Sequence, residues 1–270
     1  MNNFNIYVPD IQIDSKYAVS GADCQVLSIS LKPGENCESE PGSMMMMSPS
    51  IKTNVTCGSC SRVCTGETLC KTIYTNEGSQ PGYLSFTHHL HSYPSLSSLY
   101  FLYRFVSLTP NYPAKVIPIH LPSVKGKFIA KKGAYMSAID DVKIAADCDC
   151  NPLTVCCGGL GCIRQEASGS GTVFYAAGGT ILQKTLAEGE TVVTDSLSIV
   201  GFQETVKYGV RPSGGCGGLC CGGEGLCYGT LTGPGVILIQ SMPFEKFVST
   251  VAPPMGNQSG DPGEDGQMSG

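Results

Sequence analysis

The chain has 270 residues, of which 41% are hydrophobic and only 14% are charged, and its formal net charge is −5. This acidic balance disfavours nucleic acid as the main ligand, because proteins that bind nucleic acid usually present a basic patch. The 34 glycines and 17 prolines disfavour long helices and suit short strands that are joined by tight turns.

The N-terminal segment predicts one short strand and no targeting signal. The run FNIYV is expected to add an edge strand to a sheet. The opening residues MNNFNIYVPDIQID lack the basic and apolar regions of a signal peptide and the arginines of a mitochondrial presequence. No apolar run reaches the roughly 20 residues that span a bilayer. We therefore expect a cytoplasmic protein without stable membrane insertion, with a mitochondrial location as the alternative.

Three successive segments show the same order of landmarks, at residues 25–87, 115–178 and 180–242. In each, a leucine precedes a cysteine by 39 to 41 residues, and a glycine then begins an apolar closing strand. The leucines are Leu31, Leu121 and Leu186, the cysteines are Cys70, Cys162 and Cys227, and the glycines are Gly82, Gly171 and Gly235. This order indicates an internal repeat of about 60 residues, and three copies suit a closed, pseudo-threefold arrangement.

Within the copies, apolar and polar residues alternate with period two, as in Ile51-Thr53-Val55 and Val206-Tyr208-Val210. Such alternation predicts half-buried strands. We predict one all-β domain over residues 1–250, built from the three repeats.

Two segments are predicted to lie outside the repeats. Residues 88–109 have no counterpart in the second and third copies, and without them the spacing of the leading leucines becomes nearly even. We predict an insertion that the fold does not need, either a membrane-touching or partner-binding element or a translated intron, because a longer surface loop costs little free energy. Residues 251–270 are acidic and rich in glycine and proline, and we predict a disordered tail.

A family resemblance is carried by four runs: LKPGENCESEPGSMMMMSPSI, GETLC, LAEGETVVTD and GGEGLCYGTLTGPGVILIQ. Together they resemble the mitochondrial biogenesis family of the altered-inheritance-of-mitochondria type, over about residues 24–242. The resemblance implies a fold like that of the tryptophan RNA-binding attenuation protein (TRAP), a double-stranded β-helix or TRAP-like β-sandwich. It also implies a non-catalytic protein linked to mitochondrial or membrane organisation. Relatives more often carry Phe or Leu where this chain has Cys70, Cys162 and Cys227.

The 15 cysteines offer the first candidate chemistry. Cys57 and Cys60 have the C-x2-C spacing of a zinc knuckle, and Cys148 with Cys150 could add thiolates. Three pairs also recur at corresponding places, Cys64 with Cys70, Cys157 with Cys162, and Cys221 with Cys227. Free cysteine is among the most buried residue types, and cytosolic thiols stay reduced. We therefore predict core thiols at Cys70, Cys162 and Cys227 and no disulfide framework.

Other candidate groups are predicted to be structural. The histidine cluster His88, His89 and His91 lies in the predicted insertion, and His120 lies on a strand. The glycine-rich runs are predicted turns, because no helix follows them. Asp140, Asp141, Asp147 and Asp149 match no EF-hand spacing and are predicted surface charges. Met44–Met47 are predicted to form a core strand, since methionine packs well in irregular cores.

The sequence thus predicts a β scaffold that is not an enzyme and has no catalytic, cofactor-binding or metal-ligating residues. The expected partner is an unidentified protein, and self-association is a further option because exposed strand edges favour assembly. The alternative is a metal- or redox-responsive protein that uses the repeated cysteines. RNA binding by analogy of fold ranks third, because the chain is acidic.

Overall fold

The computed structural model describes residues 5–6, 16–57, 70–78, 104–149, 160, 163–212 and 227–251. Two strands precede the rest, β1 (Asn5–Ile6) and β2 (Tyr17–Ser20). Three successive groups of six strands follow, and α1 (Phe244–Val251) ends the described chain. The predicted all-β class is therefore confirmed, and the tail predicted from residue 251 lies outside the described residues apart from Val251, which is helical.

The strands of the first group are β3 (Val26–Leu31), β4 (Asn36–Ser39), β5 (Met44–Met47), β6 (Ile51–Cys57), β7 (Cys70–Asn76) and β8 (Arg104–Leu108). Those of the second are β9 (Lys115–His120), β10 (Lys127–Ala130), β11 (Tyr135–Ile139), β12 (Val142–Cys148), β13 (Ile163–Gly169) and β14 (Thr172–Ala177). Those of the third are β15 (Ile181–Leu186), β16 (Thr191–Thr194), β17 (Ile199–Gln203), β18 (Lys207–Pro212), β19 (Cys227–Thr232) and β20 (Gly235–Gln240). Short 3₁₀ turns lie at Leu121–Val124 and Ser196–Ser198.

The three groups share one pattern of antiparallel pairing. The last strand of each group pairs with the first and the third, and the fifth pairs with the second and the fourth. A register shift also interrupts each third strand at the same place, between Met44 and Met46, Tyr135 and Ser137, and Ile199 and Gly201. That the three groups superpose as one repeated module stays a prediction, as does the TRAP-like fold.

Two further ladders join neighbouring groups, β4 with β11 and β10 with β17. They produce four sheets: sheet 1 (β2-β3-β8-β5), sheet 2 (β6-β7-β4-β11-β14-β9), sheet 3 (β1-β15-β20-β17-β10-β13-β12) and sheet 4 (β16-β19-β18). The strand β1 lies at the edge of sheet 3 against β15, which confirms the edge strand predicted from FNIYV.

Each hydrophobic core lies between two of these sheets. Leu27 of sheet 1 belongs to one cluster with Tyr74 of sheet 2, and the rings of Phe128 and Tyr175 join sheets 3 and 2 at 5.7 Å. Phe202 of sheet 3 packs in a third cluster with residues of sheet 4. Successive side chains of a strand point to opposite faces, so β11 and β14 of sheet 2 and β17 of sheet 3 are buried on both sides.

The leading leucines end the first strands in comparable settings. Leu31 and Leu186 are the last residues of β3 and β15 and Leu121 follows β9, and all three are buried. The turns after Leu31 and Leu186 both place a glycine at positive φ, Gly34 and Gly189. The next residue in each turn is a glutamate whose side chain accepts a hydrogen bond from the backbone N–H three residues earlier. This bond explains why Gly-Glu recurs in the sequence.

The structure corrects the bounds of the first group. Its closing strand is β8, which ends at Leu108, whereas the sequence predicted that the copy ends at residue 87. Val106 and Leu108 are fully buried, and β8 lies between β3 and β5. The insertion predicted at 88–109 is therefore wrong for residues 104–108. Residues 79–103, which include the predicted strand PGYLSF and the histidine cluster, lie outside the described residues.

Candidate interaction surface

The methionine strand β5 forms the first part of an exposed apolar surface. Met44, Met45 and Met46 expose 44%, 47% and 39% of their area. The corresponding residues of β11 and β17 flank the same register shift, and all of them are buried: Tyr135 and Ser137 in β11, and Ile199 and Gly201 in β17. The prediction of a core strand at Met44–Met47 is therefore wrong in its burial, although the segment is a strand. The reason is topological: β11 and β17 lie in sheets 2 and 3, which each pack against two other sheets, whereas β5 lies at the edge of sheet 1, which among the described residues packs against sheet 2 only.

The helix α1 is attached to the sheets through its charged residues. Glu245 pairs with Lys131 at 2.7 Å, and Lys246 pairs with Asp195 at 2.6 Å. The ring of Phe244 lies 4.9 Å from the ring of Tyr112. These contacts connect the helix to the turn that follows β10, to the turn that follows β16 and to the segment between β8 and β9.

Most of the apolar face of α1 is turned away from the sheets, and only Phe247 of this face is half-buried. Phe244, Val248 and Val251 are spaced four and three residues apart, which places them on one side of a helix. They expose 45%, 40% and 66% of their area, and the preceding Met242 is exposed as well. A surface helix normally turns its apolar stripe toward the core, so this orientation leaves a surface suited to a partner.

A cavity of about 270 Å³ lies between the methionine strand and the helix. Its wall includes Ser43, which precedes β5, and Phe244, which begins α1, together with Tyr112. The hydroxyl of Tyr112 donates to the backbone oxygen of Ala176 at 3.2 Å. Burial raises the pKa of Tyr112 to about 12, and the nearby Glu245 adds to this shift, so Tyr112 stays a neutral donor at physiological pH. We call Met44–Met46, this cavity and the exposed face of α1 the apolar surface.

The structure brings two of the singled-out cysteines together. Cys57 and Cys70 lie directly opposite each other at the ends of β6 and β7 and form a disulfide. The expectation of reduced thiols without a disulfide framework is therefore wrong for this pair, as is the prediction of a buried core thiol at Cys70. The physical reason is that Cys70 begins β7 at the end of the hairpin where residues 58–69 connect the two strands, and there its side chain is only half-buried.

Of the other cysteines singled out in the sequence, the structure describes Cys148 and Cys227. Cys227 begins β19 and is half-buried, so the predicted core position is wrong there too, while Cys148 is exposed. Cys60, Cys64, Cys150, Cys157, Cys162 and Cys221 lie outside the described residues. Cys37, which no sequence pattern singles out, is fully buried. Desolvation, with a smaller contribution from Glu38, raises its pKa to about 12.

The aspartates and His120 take part in local contacts. Asp147 pairs with Arg164 at 2.7 Å and Asp149 approaches the same guanidinium at 3.5 Å. Asp140 pairs with Lys16 at 2.7 Å, and His120 lies 3.3 Å from the hydroxyl of Thr172. Among the described side chains, no three His, Cys, Asp or Glu residues are grouped as metal ligands would be. Over the same residues, no helix has the length and apolar character needed to cross a membrane.

Comparison with known proteins finds one family model that matches the chain and a solved structure with the same fold. The chain matches the model of the family described as Mitochondrial biogenesis AIM24 over residues 17–242. An X-ray crystal structure of a Streptococcus pyogenes protein covers 87% of this chain and 97% of its own, with a TM-score of 0.62 and 18% identity. At that identity the likeness shows the fold alone. No curated protein matches the chain significantly.

Proposed function

The chain belongs to the Mitochondrial biogenesis AIM24 family, and we propose that it is a non-catalytic β scaffold that binds a protein partner through its apolar surface. The family description supports a role related to mitochondrial biogenesis. The molecular part of the proposal rests on the orientation of α1.

The orientation of α1 carries the proposal. The two ion pairs with Lys131 and Asp195 hold the helix against the sheets, so its exposed valines are displayed in a fixed position. An apolar helix face with anchors at i, i+4 and i+7 is a common way to fill a hydrophobic groove of another protein. The cavity beside Phe244 can accept an apolar side chain in return. We therefore propose a partner protein with an apolar groove.

Replacing both exposed valines of α1 tests this proposal. The double variant Val248→Asp/Val251→Asp is expected to weaken partner binding at least about tenfold, because burying each valine contributes of the order of 1.5 kcal/mol and each 1.4 kcal/mol is tenfold in affinity. Partners would be captured with the wild-type chain from its own cells, identified by mass spectrometry, and titrated as purified proteins.

The matched control is Ser249→Asp/Thr250→Asp, which adds the same two charges near the C-terminal end of the helix but outside its apolar face. The control is expected to retain binding and a circular dichroism spectrum like that of the wild type. Equal binding by wild-type and valine variants, or equal loss in both variants, would refute the proposed surface.

The cellular location is a second part of the proposal. The sequence predicts a cytoplasmic protein, with mitochondria as the alternative, and the family description supports the alternative. Fractionation of cells that express the tagged chain at its natural level distinguishes the two.

The disulfide favours a second candidate function, a redox-responsive protein. Cys57 is exposed and Cys70 half-buried, so a reductant can reach the bond. Thirteen of the 15 cysteines lie within 57–70, 148–162 and 216–227, in or beside the segments that connect the fourth and fifth strands of each group. In this function, the reduced and oxidised chains would bind the partner with different affinities.

Replacing Cys70 by Ser is expected to lower the free energy of unfolding by about 3 kcal/mol under oxidising conditions, because the bond closes a loop with a sequence separation of 13 residues. Urea unfolding with and without reductant measures the difference, which should disappear when both proteins are reduced. The exposed Cys24 supplies the control Cys24→Ser. Equal stability of Cys70→Ser and wild type without reductant would show that the disulfide does not form in solution.

A further inference from the structure

One of three corresponding ladders between strand groups is missing from the described chain. The second strand of the first group pairs with the third strand of the second group, β4 with β11, and the same relation joins β10 with β17. The corresponding third ladder would join β16 to β5. In the described residues these two strands are instead outer edges of different sheets.

The two existing ladders define the register of the missing one. The last residue of β4, Ser39, is opposite Ser137, the residue just past the register shift of β11. The last residue of β10, Ala130, is likewise opposite Gly201, just past the shift of β17. The last residue of β16 is Thr194, and the residue just past the shift of β5 is Met46. Thr194 and Met46 would therefore be partners.

Both edges are suited to pairing. Proteins usually protect edge strands with charged residues or proline, and Lys52, Lys115, Lys143 and Lys207 do this for the edge strands β6, β9, β12 and β18. In contrast, β5 reads MMMM and β16 reads TVVT, without a charge or a proline, a property that they share with the edge strand β2, which reads YAVS. Val193 of β16 is exposed like the methionines of β5.

We propose that β16 of one copy of this chain pairs antiparallel with β5 of a second copy, with Thr194 opposite Met46. The occupant is a second copy because the two edges are the two halves of an interface that the chain already forms twice within itself. Such contacts are head to tail, so assembly continues until a ring closes or a filament grows. This proposal concerns the strand edges and does not depend on a partner at α1.

Complementary charges test the register in the full-length chain. The wild type is expected to exceed its monomer mass of 28.4 kDa in native mass spectrometry and light scattering. Like charges directly opposite each other destabilise a strand pair, whereas opposite charges stabilise it. The double variant Met46→Lys/Thr194→Lys is therefore expected to dissociate at about tenfold higher concentration than Met46→Lys/Thr194→Glu. The exposed β6 variant Val55→Lys is the control and should assemble like the wild type.

Cross-linking distinguishes pairing between copies from closure within one chain. A photo-reactive residue at Met46, in a mixture of isotopically light and heavy chains, should give light–heavy cross-links to residues 192–194. Three results would overturn the proposal: a monomer at about 0.1 mM, which corresponds to an association weaker than roughly −5.5 kcal/mol, equal dissociation constants for the two charge variants, or cross-links confined to single chains.

Discussion

A chain that lacks residues 88–109 is expected not to fold, because the deletion removes the whole of β8. This strand donates to and accepts from both β3 and β5, and it contributes two fully buried side chains, Val106 and Leu108, to the core between sheets 1 and 2. Without β8, the strand β5 has no neighbour in sheet 1, and β3 loses one of its two partners. The expected result is insoluble protein, or a soluble chain without a cooperative thermal transition.

A point variant in β8 tests the same assignment through a partial loss of stability. Leu108→Ala is expected to lower the free energy of unfolding by about 3 kcal/mol, because it removes a fully buried side chain and leaves a cavity. Urea unfolding measures this loss. A deletion limited to residues 88–101 keeps β8 and serves as the control. Equal stability of the 88–109 deletion and wild type would contradict the assignment of β8 to the core.

Gly201→Ala is expected to destabilise the protein by about 3 kcal/mol or more, since there is no room for a side chain at the ladder between β10 and β17. A Cβ atom on Gly201 would lie 2.6 Å from the backbone oxygen of Ile129 and 2.5 Å from the ring of Phe128. Overpacking of this kind costs about 1–3 kcal/mol when side chains can adjust, and a backbone oxygen in a central ladder cannot easily move.

Gly34→Ala is the matched control for Gly201→Ala. A Cβ atom on Gly34 meets nothing within 4 Å, and only its positive φ of 80° opposes the substitution. We expect a loss of about 1–2 kcal/mol there. Chemical unfolding of both variants separates steric conflict from backbone strain. If the two glycine variants had the same stability, the close approach of β17 to β10 would be refuted.

The sequence predicted the class of the fold because alternation and turn residues are local signals. Val206, Tyr208 and Val210 alternate as a strand should, and Gly34 and Gly189 occur where the backbone needs positive φ. These features depend on a few neighbouring residues, so they can be read without knowledge of tertiary contacts.

Pairing partners could not be predicted in the same way. Both PGYLSF and RFVSL are apolar enough to close the first group, and only the ladder between Leu27 and Leu108 shows that the second does so. Similarly, the composition of Met44–Met47 suits a core, but burial depends on whether a second sheet covers the face on which these side chains lie. The helix α1 was not predicted, because its eight residues are too few to show a clear helical period.

The nesting of the ladders has a consequence for the rate of folding. In every group the first strand pairs with the last. In the first group Leu27 is opposite Leu108, 81 residues later, and in the third Ile181 is opposite Gln240, 59 residues later. Ladders between distant residues form slowly, because the entropy of closing the intervening loop is lost before contacts compensate for it. During synthesis, β3 therefore leaves the ribosome well ahead of its neighbour β8. We expect sheet 1 to stay incomplete until β8 has emerged, and this is the interval in which a chaperone would be most useful to the N-terminal group.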